Sequence, residues 1–404
     1  MGKFVKIPAH EVALGMFVAE LDCPWEESPF LLQGFTVNTV DERKQLIELC
    51  SHVVVDSGKS AADLGDTGST SRGQLGRGKN RKREVYTDQR SFDEEIINAR
   101  EVFKDFEYSV DRLFVSMRGN GTADYQTVKA SVDGIVSSII NNPDACLLLQ
   151  KMRRKGDYLF DHATGTSIWA AAFGRQLGLP KSDISDVCLA ALMCDVGMIS
   201  VPDDIIGKES KLSEQEFELV QGHVVQSLNH MRTQSFISKK VLMTVQHHHE
   251  RIDGSGYPAG LAGDDIPLTS RIVAIADTYD AMSNHRAYAC ARSPAEAVRE
   301  LYSLRSIKFQ EELIEEFIQA VGIYPVGTLV EISSGEVGMV LAEYRGRRLR
   351  PKIVLLADEH KEPVTDNRTI DLANETRTVN GKPLEIVRSL EEGAFGIATD
   401  DLFI

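Results

Sequence analysis

QHHHERIDGSGYPAGLAGDDIP, residues 246–267, is the stretch whose reading decides the fold. Just upstream, Val241, Leu242 and Val245 set an apolar stripe at helical spacing. Carrying that spacing forward puts His248 and His249 on the same stripe and leaves His247 outside it. Imidazoles aimed into an apolar bundle stay neutral and hold fixed rotamers, which suits metal ligation. A surface histidine cluster at a helix end is the competing reading. The loop that follows, Asp253-Gly254-Ser255-Gly256-Tyr257-Pro258, has two glycines and a proline at a spacing that forbids regular structure.

Working outward, other candidate ligands recur along a helical region. His162 opens a helix, Asp195 lies inside the apolar run LAALMCDVGM, His223 sits on a helix capped by Ser213-Glu214-Gln215-Glu216, and Asp277 lies inside RIVAIADTYDAM. A carboxylate within an apolar helix is costly unless it is paired or bound to a metal. His162 and His223, each taken alone, read equally well as ordinary histidines. Together the set is rich in His and Asp and contains no cysteine pair, which suits a hydrolytic centre for Fe, Mn or Zn.

The rest of the chain bounds this reading. At 404 residues it has room for two or three domains, and 42% hydrophobic with 26% charged residues describes a soluble, cytoplasmic protein. No apolar run approaches a membrane span, and MGKFVKIPAHEVALGMFVAE has no secretory core. Six scattered cysteines without CxxC pairs argue for reduced thiols. A net charge of −15 speaks against nucleic-acid binding but leaves a small phosphorylated ligand open.

Residues 1–58 alternate short β-like runs with one helical segment, Val40–Leu49, and predict a small α+β domain. Residues 59–90, rich in Gly, Ser, Asp and Arg, predict a flexible linker whose Lys79, Arg81, Lys82 and Arg83 read as a solvated charge run, with an anionic surface as the alternative. Residues 91–322 are helical almost throughout, an all-α core. Residues 323–404 predict a small β-rich appendage, from PVGTLVEISSGEVGMVLAEY and PKIVLLADE, followed by a polar tail.

The order Tyr158-Leu159-Phe160-Asp161-His162, then CDVGM, then His223, then HHERIDGSGYP, then Asp277-Thr278-Tyr279-Asp280-Ala281 is similar to the HD-GYP family over about residues 140–320. Residues 1–58 resemble the small domain that often precedes it, through Gly15-Met16-Phe17-Val18, Pro24-Trp25 and Ser28-Pro29-Phe30. The resemblance implies an HD-superfamily helical bundle holding two divalent metal ions, most often iron or manganese, with zinc as an alternative. The ligands it implies are His162, Asp195, His223, His248, His249 and Asp277, with Asp195 bridging the metals at the catalytic centre. Arg286 and the loop residues Gly256, Tyr257 and Pro258 would contact the substrate, cyclic di-GMP, which is hydrolysed to pGpG or GMP.

Two departures qualify the expected activity. The dyad histidine of the family is Cys194 here, which as a thiolate is itself a candidate ligand, and the following lysine is Met198, which neutralises no phosphate. Ala289 also stands where the family commonly has a basic residue. Two readings therefore stand: a slowed metal-dependent cyclic di-GMP phosphodiesterase, or a catalytically degenerate relative that senses the dinucleotide or docks proteins. A nucleotide phosphohydrolase of the wider HD superfamily is the remaining enzymatic alternative. A homodimer, and docking of partners such as diguanylate cyclase domains through the GSGYP loop, are open expectations.

Overall fold

The computed structural model describes residues 4–22, 35–37, 40–56, 83–119, 124–153, 156–208, 210–232, 234, 237–283, 292–344, 349–364, 368–375, 377, 381, 383–391 and 393–397. Its chain divides into two compact units, Met1–Arg81 and Lys82–Ile404.

In the first unit, strands β1 (Phe4–Pro8), β2 (Phe17–Leu21), β3 (Phe35–Thr36) and β4 (His52–Asp56) form an antiparallel sheet in the order β1-β4-β2-β3, with helix α1 (Val40–Leu49) between β3 and β4. Val12, Val18, Val37, Leu46, Val53 and Val55 make its core. The sequence pattern anticipates the helix and strands β2, β3 and β4. It misses β1, an edge strand whose residues are exposed or half-buried and so carry no clean alternation. The Pro24-Trp25 and Ser28-Pro29-Phe30 elements, and most of the expected linker, lie outside the described residues.

In the second unit, helices α2 (Phe92–Arg118), α3 (Tyr125–Asn141) and α4 (Pro143–Met152) lead into α5 (Tyr158–Gln176) and α6 (Lys181–Met193). Short helices α7 (Asp203–Ile206), α8 (Glu214–Gln221), α9 (His223–Met231) and α10 (Lys239–Gln246) follow, then α11 (Leu268–Ser283), α12 (Pro294–Ser303) and α13 (Glu311–Val321). Start signals written in the sequence are used: Ser91 and Ser213 close capping boxes with Glu94 and Glu216.

Helix α5 is the axle of this bundle, buried on every side from Leu159 to Arg175. Its small residues make that possible. At Gly165 an added Cβ would fall on the Asp280 carboxylate of α11, so the two helices meet closely only because Gly165 has no side chain.

The chain ends in an antiparallel sheet of β5 (Leu329–Ile332), β6 (Val337–Ala342), β7 (Lys352–Ala357), β8 (Thr369–Asp371) and β9 (Ile386–Leu390), ordered β8-β7-β6-β5-β9. The segment read as a polar tail thus supplies both edge strands. Each buries few residues, Ile370 in β8 and Leu390 in β9, which is why the pattern is weak.

Candidate metal centre

Each candidate ligand occupies a place where regular structure stops or two helices touch. Helix α6 ends at Met193, and Asp195 leaves helical geometry with φ −104° and ψ 4°, ahead of a 3-10 turn over Val196–Ser200. Asp195 therefore lies at a helix break, not inside an apolar helix as the sequence suggests. Ser227 of α9 clamps the break: its hydroxyl donates to the Cys194 carbonyl at 2.7 Å and accepts from Gly197 N at 2.9 Å.

His223 likewise belongs to the start of α9, not to the helix capped by Ser213, because Gly222 separates α8 from α9. His248 and His249 follow the end of α10 at Gln246 and sit in turns, so helical spacing placed them inward although the helix has already stopped. Leu242, expected on the stripe, is half-buried, while Thr244 joins Val241 and Val245 in the interior.

The structure brings six of the predicted side chains into two adjoining donor groups, Asp195 with His223, His248 and His249, and Asp195 with His162 and Asp277, each with ligand atoms within 4.8 Å of one another. Asp195 is common to both. Its Oδ1 faces His223 Nε2 at 3.1 Å and His248 Nε2 at 3.3 Å, while its Oδ2 faces His162 Nε2 at 3.4 Å. One oxygen of the carboxylate serves each group.

The imidazoles are oriented from behind. His223 Nδ1 donates to Val220 O at 2.6 Å and His248 Nδ1 donates to Val245 O at 2.7 Å. A neutral ring with its proton on Nδ1 turns an Nε2 lone pair inward, and the two Nε2 atoms stand 3.4 Å apart. Converging lone pairs and carboxylate oxygens repel one another unless positive charge lies between them. The donor set therefore fits a metal cation. Titration tendencies express the same demand. Burial pulls the His223 ring down, yet Asp195 raises it overall. Burial would raise Asp195, but the facing rings of His162, His223 and His248, which pair with it whenever their Nε2 carries a proton, hold it well below the usual carboxylate range. Burial and the neighbouring His248 push His249 far down, which favours the neutral ring that a metal would need.

His162 is held between two carboxylates of α11, with Nε2 2.8 Å from Asp277 Oδ1 and Nδ1 2.7 Å from Asp280 Oδ2. Asp277 and Asp280, three residues apart, share one helix face. Sequence reasoning missed the part played by Asp280. It is buried, and it reaches His162 through the space that Gly165 leaves. Such a partner fixes the ring and raises its basicity toward a metal. Asp280→Ala is expected to weaken metal affinity about 10- to 100-fold, with Asp280→Asn retaining more of it; a metal titration that reads all three proteins alike would contradict this role.

Glu250 is a second residue whose part was missed. Buried behind the histidines, its carboxylate accepts from Ala259 N at 2.8 Å and Leu261 N at 3.0 Å, pinning the far side of the GSGYP loop. Gly256 passes so close that a Cβ would lie 2.5 Å from both Arg251 N and His249 O. Tyr257 in turn lays its ring over His249, with centroids 4.6 Å apart. The predicted Gly256 and Tyr257 thus pack against His249, and Pro258 follows Tyr257 through a cis peptide bond. Asking where the loop's backbone N–H groups find acceptors would have pointed to Glu250.

Cys194 is not brought into either group. Its Sγ points back along α6 and donates to Ala191 O at 3.1 Å, and burial, with Asp195 and Asp277 adding to it, pushes the thiol pKa well up. Arg286 and Ala289 lie outside the described residues.

Comparison with known proteins fits this architecture. Residues 136–313 match the HD domain family, residues 4–128 a domain of unknown function (DUF3391), and residues 329–388 the KOW domain associated with HD domains. A Pseudomonas aeruginosa protein named cyclic di-GMP phosphodiesterase PA4108 is 31% identical over 404 residues, covering 97% of this chain and 96% of its own length. The chain belongs to the HD-GYP family. Other relatives match over shorter spans. The Xanthomonas campestris cyclic di-GMP phosphodiesterase response regulator RpfG is 36% identical over 152 residues, 37% of this chain and 40% of its own. The Vibrio cholerae 3'3'-cGAMP-specific phosphodiesterase 2 is 33% identical over 162 residues, 39% of this chain and 30% of its own. The resemblance read from the motifs is thus borne out, as are the all-α core, the α+β N-terminal domain and the β-rich C-terminal part. Among the described residues no helix is long and apolar enough to cross a membrane.

Proposed function

We propose that this HD-GYP chain is a metal-dependent phosphodiesterase that hydrolyses cyclic di-GMP to its linear products. The observation that carries the reading is the sharing of Asp195: one carboxylate offers one oxygen to a three-histidine group and the other to the His162–Asp277 group. Two divalent ions bound there, Fe or Mn by the imidazole and carboxylate donors, would supply a water of lowered pKa and neutralise charge on the phosphodiester.

The protein's own residues do the rest. Val220 O and Val245 O set the tautomers of His223 and His248, Asp280 sets that of His162, and Asp195 holds the two groups in register. Tyr257, in the loop that Glu250 anchors, walls the His249 side of the centre. Met198, half-buried on the 3-10 turn after Asp195, offers no proton to a leaving oxygen and no charge to a phosphate. Turnover is accordingly expected to be slow for the architecture.

A second reading, a cyclic di-GMP sensor without turnover, is favoured by one specific observation: the Cys194 thiol faces Ala191 O and adds no donor to the centre. One experiment separates them. The protein is loaded anaerobically with Mn or Fe, incubated with cyclic di-GMP, and assayed for linear product beside the Cys194→His, Met198→Lys double variant. Product from the natural chain, increased about 10-fold or more in the double variant, supports the phosphodiesterase. Tight binding with no product under any metal supports the sensor instead.

A further inference from the structure

Helix α8 is oddly placed for a helix with apolar side chains. It is firmly held at both ends: Ser213 and Glu216 close a capping box, Lys208 pairs with Glu216 at 2.7 Å, and Val220 O near its end accepts from His223 of the donor group. Yet none of its residues is buried, and Phe217 keeps 47% of its surface exposed. A large aromatic left half in water on a rigid support is informative when it borders a site. Phe217 does so. Its ring meets the Tyr257 ring edge to face with centroids 6.2 Å apart, and Tyr257 lies 4.6 Å from the His249 ring. The three rings step outward from the donor atoms to the surface.

We infer that Phe217 is a base-stacking residue, which receives one purine of the cyclic dinucleotide while its phosphodiester lies at the centre. This rests on the phosphodiesterase reading and names where that substrate's base goes. In a nucleotide the base lies one sugar away from its phosphate, so a ligand seated by phosphate at the histidines carries its base outward past Tyr257 toward Phe217. The surface it meets there is aromatic. Stacking on an aromatic face tolerates any purine, and it is worth enough for its loss to be measured. The helix is fixed to the centre through Val220 and His223, so the platform is preorganised and needs no closure to meet the base.

The test uses the full-length, metal-loaded protein and a cyclic dinucleotide in which 2-aminopurine replaces one guanine, whose fluorescence falls when the base stacks. The natural chain is expected to quench it on binding. Phe217→Leu, which keeps apolar bulk and helix propensity but loses the ring, is expected to abolish the quenching and to raise the dissociation constant roughly 5- to 100-fold. KM for cyclic di-GMP should rise with it while kcat stays within about twofold of the natural chain's value. Phe217→Trp should restore both binding and quenching. Quenching and KM unchanged in Phe217→Leu would overturn the stacking role while leaving the phosphodiesterase standing. A natural chain that neither binds nor hydrolyses cyclic di-GMP would overturn both together.

Discussion

Asp195→Ala is expected to yield a folded protein that no longer assembles its metal centre, with metal content falling well below that of the natural chain and hydrolysis falling at least about 10³-fold. The size follows from the double duty of one side chain. A ligand of a single group would leave the other group whole, but Asp195 faces His223 and His248 with Oδ1 and His162 with Oδ2. Its removal takes one charged donor from each side. Only Asp277 is then left among the carboxylates of the two groups. Folding should survive at some cost in stability, because the pairing of the Asp195 carboxylate with the facing histidines is lost while the apolar packing of the bundle is left intact. Circular dichroism for the fold, elemental analysis for the metal and a product assay check the three parts separately; a variant with full metal content would show that Asp195 is not shared in the way its geometry indicates.

Gly197→Ala is expected to have the second large effect, acting through the backbone. An added Cβ would land on His223 O and come within 2.6 Å of Ser227 N and 2.9 Å of the Gln226 side chain. These are mostly backbone atoms of α9, with no flexible tip to swing aside. The turn carrying Asp195 must therefore move off the helix carrying His223, and the Ser227 clamp on Cys194 O and Gly197 N must loosen. Overpacking of this kind costs about 1–3 kcal/mol, a drop in melting temperature of roughly 2–12 °C for a domain of this size. The metal affinity should fall with it, since the clash lies between two ligand-bearing elements. A melting curve and a metal titration like those of the natural chain would show that the approach of the turn to α9 is not tight.

These two residues mark where the sequence could and could not be read. HHERIDGSGYP was legible because the histidines and the glycine-rich loop are local signals that need no knowledge of the fold. Asp195 and His223 were named as candidate ligands, and the structure brings them together, but on other elements than the sequence suggested. Apolar periodicity runs unbroken through LAALMCDVGM, so nothing in it marks the helix end at Met193. The break is imposed by Ser227, 33 residues away from the Cys194 carbonyl it binds. Asp280, Glu250, Gly165 and Gly197 were missed for the same reason: their importance lies in what approaches them in space. A carboxylate that orients a histidine 118 residues distant has no local signature. The C-terminal edge strands were lost because a strand that buries one side chain gives no alternation to find.

The central claim is that one carboxylate joins two metal positions. Anomalous diffraction from crystals of the manganese-loaded protein tests it most directly. Two peaks are expected on opposite oxygens of Asp195, one beside His223, His248 and His249 and the other beside His162 and Asp277. A single peak, or two peaks of which only one touches Asp195, would contradict it.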